Sequence, residues 1–272
     1  MRGIIYTEGS SVDALSLSLD SDTCFLRDIL NRPLIYYSIS LLAEIGIRNI
    51  LITAKAETLA RFQEILGSGQ DWGLQFSYLL TRGRKDLVES LLTSEEFVGG
   101  TNSCLIMGDK VFLNTRLTGW LPELNLHSGV TVLIKPLPLG FRHFEESKVG
   151  LVVFDSAVFN KIRSLQLNRP SLYDVLKQYD EQRVRYTASN EHTRWLDIDS
   201  SSITKVNDII EKSLNSSRII PGCPEEVCWR HGLIDDDRLE NLANLAVSQK
   251  YGSYLLDVLK GKRKFQLVEN KR

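Results

Sequence analysis

Pro33-Leu34-Ile35-Tyr36-Tyr37-Ser38-Ile39-Ser40-Leu41-Leu42-Ala43-Glu44-Ile45-Gly46-Ile47-Arg48-Asn49-Ile50-Leu51-Ile52-Thr53 holds a helix and the strand after it. Proline is tolerated at the first helical turn, where its missing N–H would be unpaired anyway. Ile35, Ile39, Leu42 and Ile45 then recur on one helical face, and Gly46 closes the pattern as a C-cap. Residues 49–53 follow as a short, nearly continuous apolar run, the pattern of a strand buried on both faces.

The same alternation continues in both directions. Upstream, Gly3-Ile4-Ile5-Tyr6-Thr7 reads as a buried strand, followed by the small polar loop Glu8-Gly9-Ser10-Ser11. Downstream, residues 57–66 are amphipathic through Leu59, Phe62, Ile65 and Leu66, and Gly67 ends them. Residues 76–80 are strand-like and 86–92 helical, and Cys104-Leu105-Ile106-Met107 is a strand that stops at Gly108-Asp109. Strands alternating with amphipathic helices imply βαβ units and a parallel sheet covered on both faces. Ligands bind beyond the carboxyl ends of such strands. The loops at 7–14 and 108–110 are therefore expected to face the site.

The second half is more mixed. Residues 130–134 and 149–154 read as strands, 171–179 as a helix, and Trp195-Leu196-Asp197 as a strand end. Ser200, Ser201 and Ser202 are cap candidates for a helix at 203–214, and short helices are predicted at 224–231, 235–247 and 251–259. The division this suggests is an α/β domain over 1–215 and a C-terminal helical assembly region over 216–272.

The 272 residues carry 33 Lys+Arg against 34 Asp+Glu, a formal net charge of −1, which gives no electrostatic argument for nucleic acid or a membrane surface. The basic clusters at 82–85 and 260–264 are short and read as solvated faces. No apolar run nears the roughly 20 residues of a membrane span, and no signal peptide is apparent. Cys24, Cys104, Cys223 and Cys228 lack metal-site spacing and suggest no disulfide framework, which suits a cytoplasmic protein. His127, His143, His192 and His231 have no partner fixed by sequence, and Ser10 and Ser11 lack a nucleophile elbow.

An ordered set of motifs spans nearly the whole chain: Met1-Arg2-Gly3-Ile4-Ile5, Arg32-Pro33-Leu34-Ile35-Tyr36-Tyr37, Gly46-Ile47-Arg48-Asn49-Ile50, Trp72-Gly73-Leu74, Gly108-Asp109, Trp195-Leu196-Asp197, Cys223-Pro224-Glu225-Glu226 and Tyr251-Gly252-Ser253-Tyr254-Leu255. In this order they resemble the bacterial glucose-1-phosphate thymidylyltransferases within the sugar nucleotidyltransferase family. The resemblance implies a Rossmann-like three-layer nucleotidyltransferase fold, α/β, with a mixed, mostly parallel sheet and a small C-terminal helical region used in assembly. It implies a reaction joining a nucleoside triphosphate to a sugar 1-phosphate with magnesium, and a homo-oligomer, dimer or tetramer.

The departures fall on the site. The family's first loop, Leu-Ala-Gly-Gly-x-Gly-Thr-Arg, lets backbone N–H groups approach the phosphates and adds an arginine for the leaving pyrophosphate. Here Tyr6 to Asp13 keeps only Gly9 and Ser10 as a remnant nucleotide loop, and Asp13 stands in place of the arginine. Reversing a charge about 6 Å from a phosphate swings the energy by several kcal/mol at an effective dielectric near 20. Cys24 replaces a family lysine, Asp86 a base-reading glycine, and the segment carrying a sugar-phosphate Glu-Lys-Pro motif is largely deleted after Lys135-Pro136.

Two carboxylates remain, Asp109 and Asp197. They read either as ligands of the family's magnesium, the one cofactor the resemblance admits, or as caps of the turns that follow. Glu226 and Arg230 match ligands of the family's regulatory nucleotide site at a subunit interface; the alternative is that their helix only packs the assembly. The expectation is a catalytically inactive or impaired homologue serving as a regulatory or scaffolding subunit, alone or with an active homologue, with a nucleotide or nucleotide sugar as its ligand. The alternative is an active nucleotidyltransferase with altered substrates that draws its cations from Arg82, Arg84 and Lys85.

Overall fold

The computed structural model describes residues 1–7, 26, 28–30, 32–81, 87–113, 128–136, 148–189, 195–198, 206–210, 221–246 and 248–261. Its centre is a seven-stranded sheet in the order β10-β8-β9-β6-β1-β4-β5. In chain order these strands are β1 (Arg2–Tyr6), β4 (Asn49–Ala54), β5 (Gln75–Leu80), β6 (Ser103–Met107), β8 (Val130–Ile134), β9 (Val149–Phe154) and β10 (Val184–Ala188). Only β9 runs against its neighbours, pairing antiparallel with both β6 and β8. The sheet is thus mixed and mostly parallel, as expected. Two short ladders accompany it: β2 (Asp28–Ile29) with β3 (Arg32–Pro33), and β7 (Lys110–Phe112) with β11 (Trp195–Asp197).

Alternate residues of the central strands separate two cores. Ile5, Cys104 and Ile106 face one, against α1 (Ile35–Glu44) and α2 (Ala56–Leu66). Ile4, Tyr6, Leu105 and Met107 face the other, against α3 (Leu87–Thr93), α5 (Val158–Ser164) and α6 (Leu172–Leu176), with α4 (Glu95–Val98) contributing Val98. This gives three layers, and burial on both faces explains why these strands read as unbroken apolar runs.

Three sequence expectations are corrected. Nine of the ten α1 residues are buried, not one face alone, because α1 lies between the sheet and a C-terminal helix. Ile65 is 41% exposed, because Leu59, Phe62 and Leu66 already fill the stripe of α2 that reaches the sheet. The 171–179 helix is shorter, Leu172–Leu176, and it starts with a capping box between Ser171 and Asp174. Strand β10 was not anticipated. It is an edge strand with little burial, so its sequence lacks an apolar pattern.

Residues 206–210 are helical (α7). The C-terminal helices are α8 (Pro224–Arg230), α9 (Asp236–Leu245) and α10 (Gln249–Leu259). Helix α8 packs on α1, and α9 and α10 pack together around Cys223, Leu239, Ala243, Leu255 and Val258. No described helix is long and apolar enough to cross a membrane.

Candidate functional site

The carboxyl ends of β1, β6 and β8 lie at the same end of the sheet, since β6 is parallel to β1 and both β6 and β8 run against β9. The Gly108 N–H donates to the Tyr6 carbonyl at 2.8 Å, which folds the 108–110 turn across the end of β1. The chain then enters β7, and β11 pairs with it so that Asp197 lies opposite Lys110, Leu196 opposite Val111 and Trp195 opposite Phe112. The Ile198 N–H donates to the Asp109 carbonyl at 2.9 Å and extends the ladder by one bond. This small ladder brings Asp109 and Asp197, 88 positions apart in sequence, into one cluster.

The residue that joins them is Lys110. Its Nζ lies 3.1 Å from Asp109 Oδ2 and 2.8 Å from Asp197 Oδ1, and its side chain is only 3% exposed. A second ammonium, Lys135 Nζ just past the end of β8, is bonded to Asp197 Oδ2. Two carboxylates and two ammonium groups therefore face one another with their formal charges balanced. Burial works against the Lys110 charge, but Asp109 and Asp197 outweigh that and raise its pKa. Burial likewise works against the Asp197 charge, yet Lys110 and Lys135 hold its pKa below the ordinary aspartate range. Asp109 is raised, because burial exceeds what Lys110 returns and Asp197 repels it. The cluster thus favours the charged form of Asp197 more than that of Asp109.

An aromatic platform supports the cluster. Trp195 Nε1 donates to Asp197 Oδ1 at 3.3 Å, and the Trp195 ring sits 5.5 Å from that of Phe112. Lys135 Nζ stands 5.8 Å from the centre of the Trp195 ring. Gly150 of β9 makes room for this pair, since a Cβ there would lie 3.1 Å from both rings.

Sequence reading found the two aspartates and missed both lysines. The signal for Lys110 was its position between two buried apolar runs, where a lysine needs an anionic partner. Nothing local marks Lys135, whose partner Asp197 lies 62 positions further along the chain.

Magnesium does not fit this arrangement. Both carboxylates that would receive it are already bonded to ammonium groups. A divalent ion about 4 Å from Lys110 Nζ would meet repulsion of about 8 kcal/mol at an effective dielectric near 20. Among the described residues no group of three or more His, Cys, Asp or Glu side chains is placed to hold a metal.

Gly9 and Ser10 lie outside the described residues, as do Asp13, Cys24, Arg82, Arg84 and Lys85. Glu226 and Arg230, the candidate regulatory ligands, sit on α8. The Glu226 side chain is fully buried, with Oε2 bonded to the Tyr254 hydroxyl and Oε1 3.8 Å from Arg230 Nε. Arg230 reaches Glu44 of α1 at 2.9 Å, and His231 lies 3.5 Å from the same carboxylate. Beside them Arg32 is 5% exposed, stacked 4.5 Å from the Tyr251 ring centre. Burial raises the pKa of the neighbouring Glu225, which Tyr251 and Arg32 only partly offset. These charges are directed inward, joining α8 and α10 to the core.

Residues 25–140 match the family model described as nucleotidyl transferase. The chain is 28% identical to the glucose-1-phosphate thymidylyltransferase of Neisseria meningitidis, over 96% of this chain and 100% of that one. It is also 28% identical to that of Mycolicibacterium smegmatis, over 95% and 99%. Among solved structures, a candidate glucose-1-phosphate thymidylyltransferase from Bacillus anthracis in complex with a sucrose superposes with a TM-score of 0.67 at 22% identity, covering 77% of this chain and 95% of that one. UDP-glucose pyrophosphorylase complexed with UDP-glucose gives 0.59 at 14% identity, covering 78% and 99%.

Proposed function

Because the chain is a member of the sugar nucleotidyltransferase family, we propose that it is a divergent homologue of the glucose-1-phosphate thymidylyltransferases in which nucleotidyl transfer is lost or strongly impaired. Its role is that of a regulatory or scaffolding subunit in nucleotide-sugar supply for surface polysaccharide. One observation carries this reading: the buried Lys110 ammonium lies between Asp109 and Asp197, the carboxylates on which the family's metal chemistry depends. A metal bridging phosphates supplies several kcal/mol of charge stabilisation in such a transfer. With its ligands taken by lysine, that stabilisation has no seat. The loss of the loop arginine at Asp13 points the same way.

The C-terminal region supports the second half of the reading. Its Arg230 joins α8 to Glu44 of α1, and its Pro224-Glu225-Glu226 helix start resembles that of the family's assembly region. Such a chain would act as a homo-oligomer or beside an active homologue, with a nucleotide or nucleotide sugar as a ligand that regulates rather than reacts.

Lys135 favours a second reading. An ammonium at the carboxyl end of β8, followed by Pro136, suits a sugar phosphate, and an enzyme of altered specificity could draw on it. Pyrophosphate release from dTTP and glucose 1-phosphate with magnesium separates the two, with Asp109→Ala as control. The non-catalytic reading expects no turnover from folded, oligomeric protein; turnover that vanishes in Asp109→Ala overturns it.

A further inference from the structure

We infer that the Lys110 ammonium is this chain's permanent replacement for a divalent cation, so that the cleft holds its carboxylate pair, and meets any phosphate-bearing ligand, without metal. The inference rests on the reading of Asp109 and Asp197 proposed above. It adds that the cation position is filled rather than abandoned.

Three observations support it. First, a surface lysine would leave its ammonium in water, but this one is buried on a strand whose other residues, Val111 and Phe112, are buried too. Second, it touches both carboxylates at hydrogen-bond distance and so spans the gap that a bridging ion would span. Third, the β7–β11 register places Asp197 directly across from it, which fixes the spacing by backbone pairing. A cation covalently tethered at this point is always present, whatever the metal concentration outside. Lys135 completes the balance on the exposed side of Asp197, so that no carboxylate charge is left over to attract a further cation.

The test is a titration of Mn²⁺ into the full chain, with free Mn²⁺ followed by electron paramagnetic resonance. The wild-type protein is expected to bind no ion at this pair. Lys110→Ala is expected to gain one ion per chain, and Lys110→Ala/Asp109→Asn to lose it again. A stoichiometric ion on the wild type that disappears in Asp109→Asn overturns the inference, because metal then displaces the lysine. A folded Lys110→Ala that stays metal-free overturns it as well. Should Lys110→Ala fail to fold, the wild type and Asp109→Asn still decide. Failure of the functional reading is seen elsewhere: pyrophosphate release by wild-type protein in a chelator would remove the non-catalytic role and leave the lysine inference standing.

Discussion

Lys110 and Asp197 face each other across the β7–β11 ladder with ammonium and carboxylate 2.8 Å apart, and the lysine is the more deeply buried of the two, 3% exposed against 32%. That asymmetry decides which partner matters more. An unpaired Lys110 would be a charge without water, whereas an unpaired Asp197 would still have solvent and Lys135.

Asp197→Asn is therefore expected to destabilise the protein by about 2 kcal/mol, short of the about 3–5 kcal/mol for a fully buried pair because Asp109 still holds the lysine. Lys135→Met, on the exposed side of the same carboxylate, is expected to cost less than about 1 kcal/mol. Urea unfolding of both variants measures the order. Equal losses would mean that burial does not rank the two contacts.

Gly150→Ala tests the platform beneath the pair. The added methyl would lie 3.1 Å from the Phe112 and Trp195 rings, tighter than ordinary contact, and Trp195 is 3% exposed with nowhere to move. Overpacking of this kind costs about 1–3 kcal/mol. The expected result is a drop in melting temperature together with a changed near-ultraviolet signal from Trp195. An unchanged spectrum at full stability would show that β9 yields instead.

Much of the fold was legible because strands buried on both faces leave unbroken apolar runs, as at 49–53, 104–107 and 149–154. Strand β10 left no such trace, since Arg185 and Tyr186 at the sheet edge face outward. The site was half legible. Asp109 and Asp197 stood out as carboxylates at strand ends, while Lys110 looked like any charged residue. Its partner comes from β11, far along the chain, and no local period encodes a pairing between β7 and β11. The C-terminal network was hidden for the same reason: Glu44 on α1 looks like a solvent-side residue of an amphipathic helix until α8 covers it.

Glu44 carries a pH prediction. Burial opposes its charge, but His231 and Arg230 outweigh burial and lower its pKa below the ordinary glutamate value. A carboxylate whose folded pKa is depressed adds stability that is full above its unfolded pKa and is lost as pH falls through the folded value. The wild type should thus lose part of its stability on acidification below the ordinary glutamate range. Glu44→Gln should already lack about 2 kcal/mol at neutral pH and show a shallower acid limb. Unfolding measured from pH 7 to pH 3 checks both, and parallel curves for the two proteins would exclude Glu44 as the source.

Arg32 joins the β2–β3 hairpin to the C-terminal helices. Its guanidinium lies 4.5 Å from the Tyr251 ring centre and 5.8 Å from that of Tyr254, while Leu30 of the same hairpin donates its N–H to Asn207 Oδ1 at 3.2 Å. A desolvated guanidinium over an aromatic face contributes about 2 kcal/mol. Lysine keeps the charge but loses the plane that stacks on the ring. Arg32→Lys is therefore expected to loosen α10 more than the sheet. Amide exchange should speed up over Gln249–Leu259 and stay slow in β4, which is bonded on both sides by β1 and β5. Faster exchange throughout the chain would make Arg32 a general stability residue, and no change in α10 would mean that the tyrosines hold the helix without it.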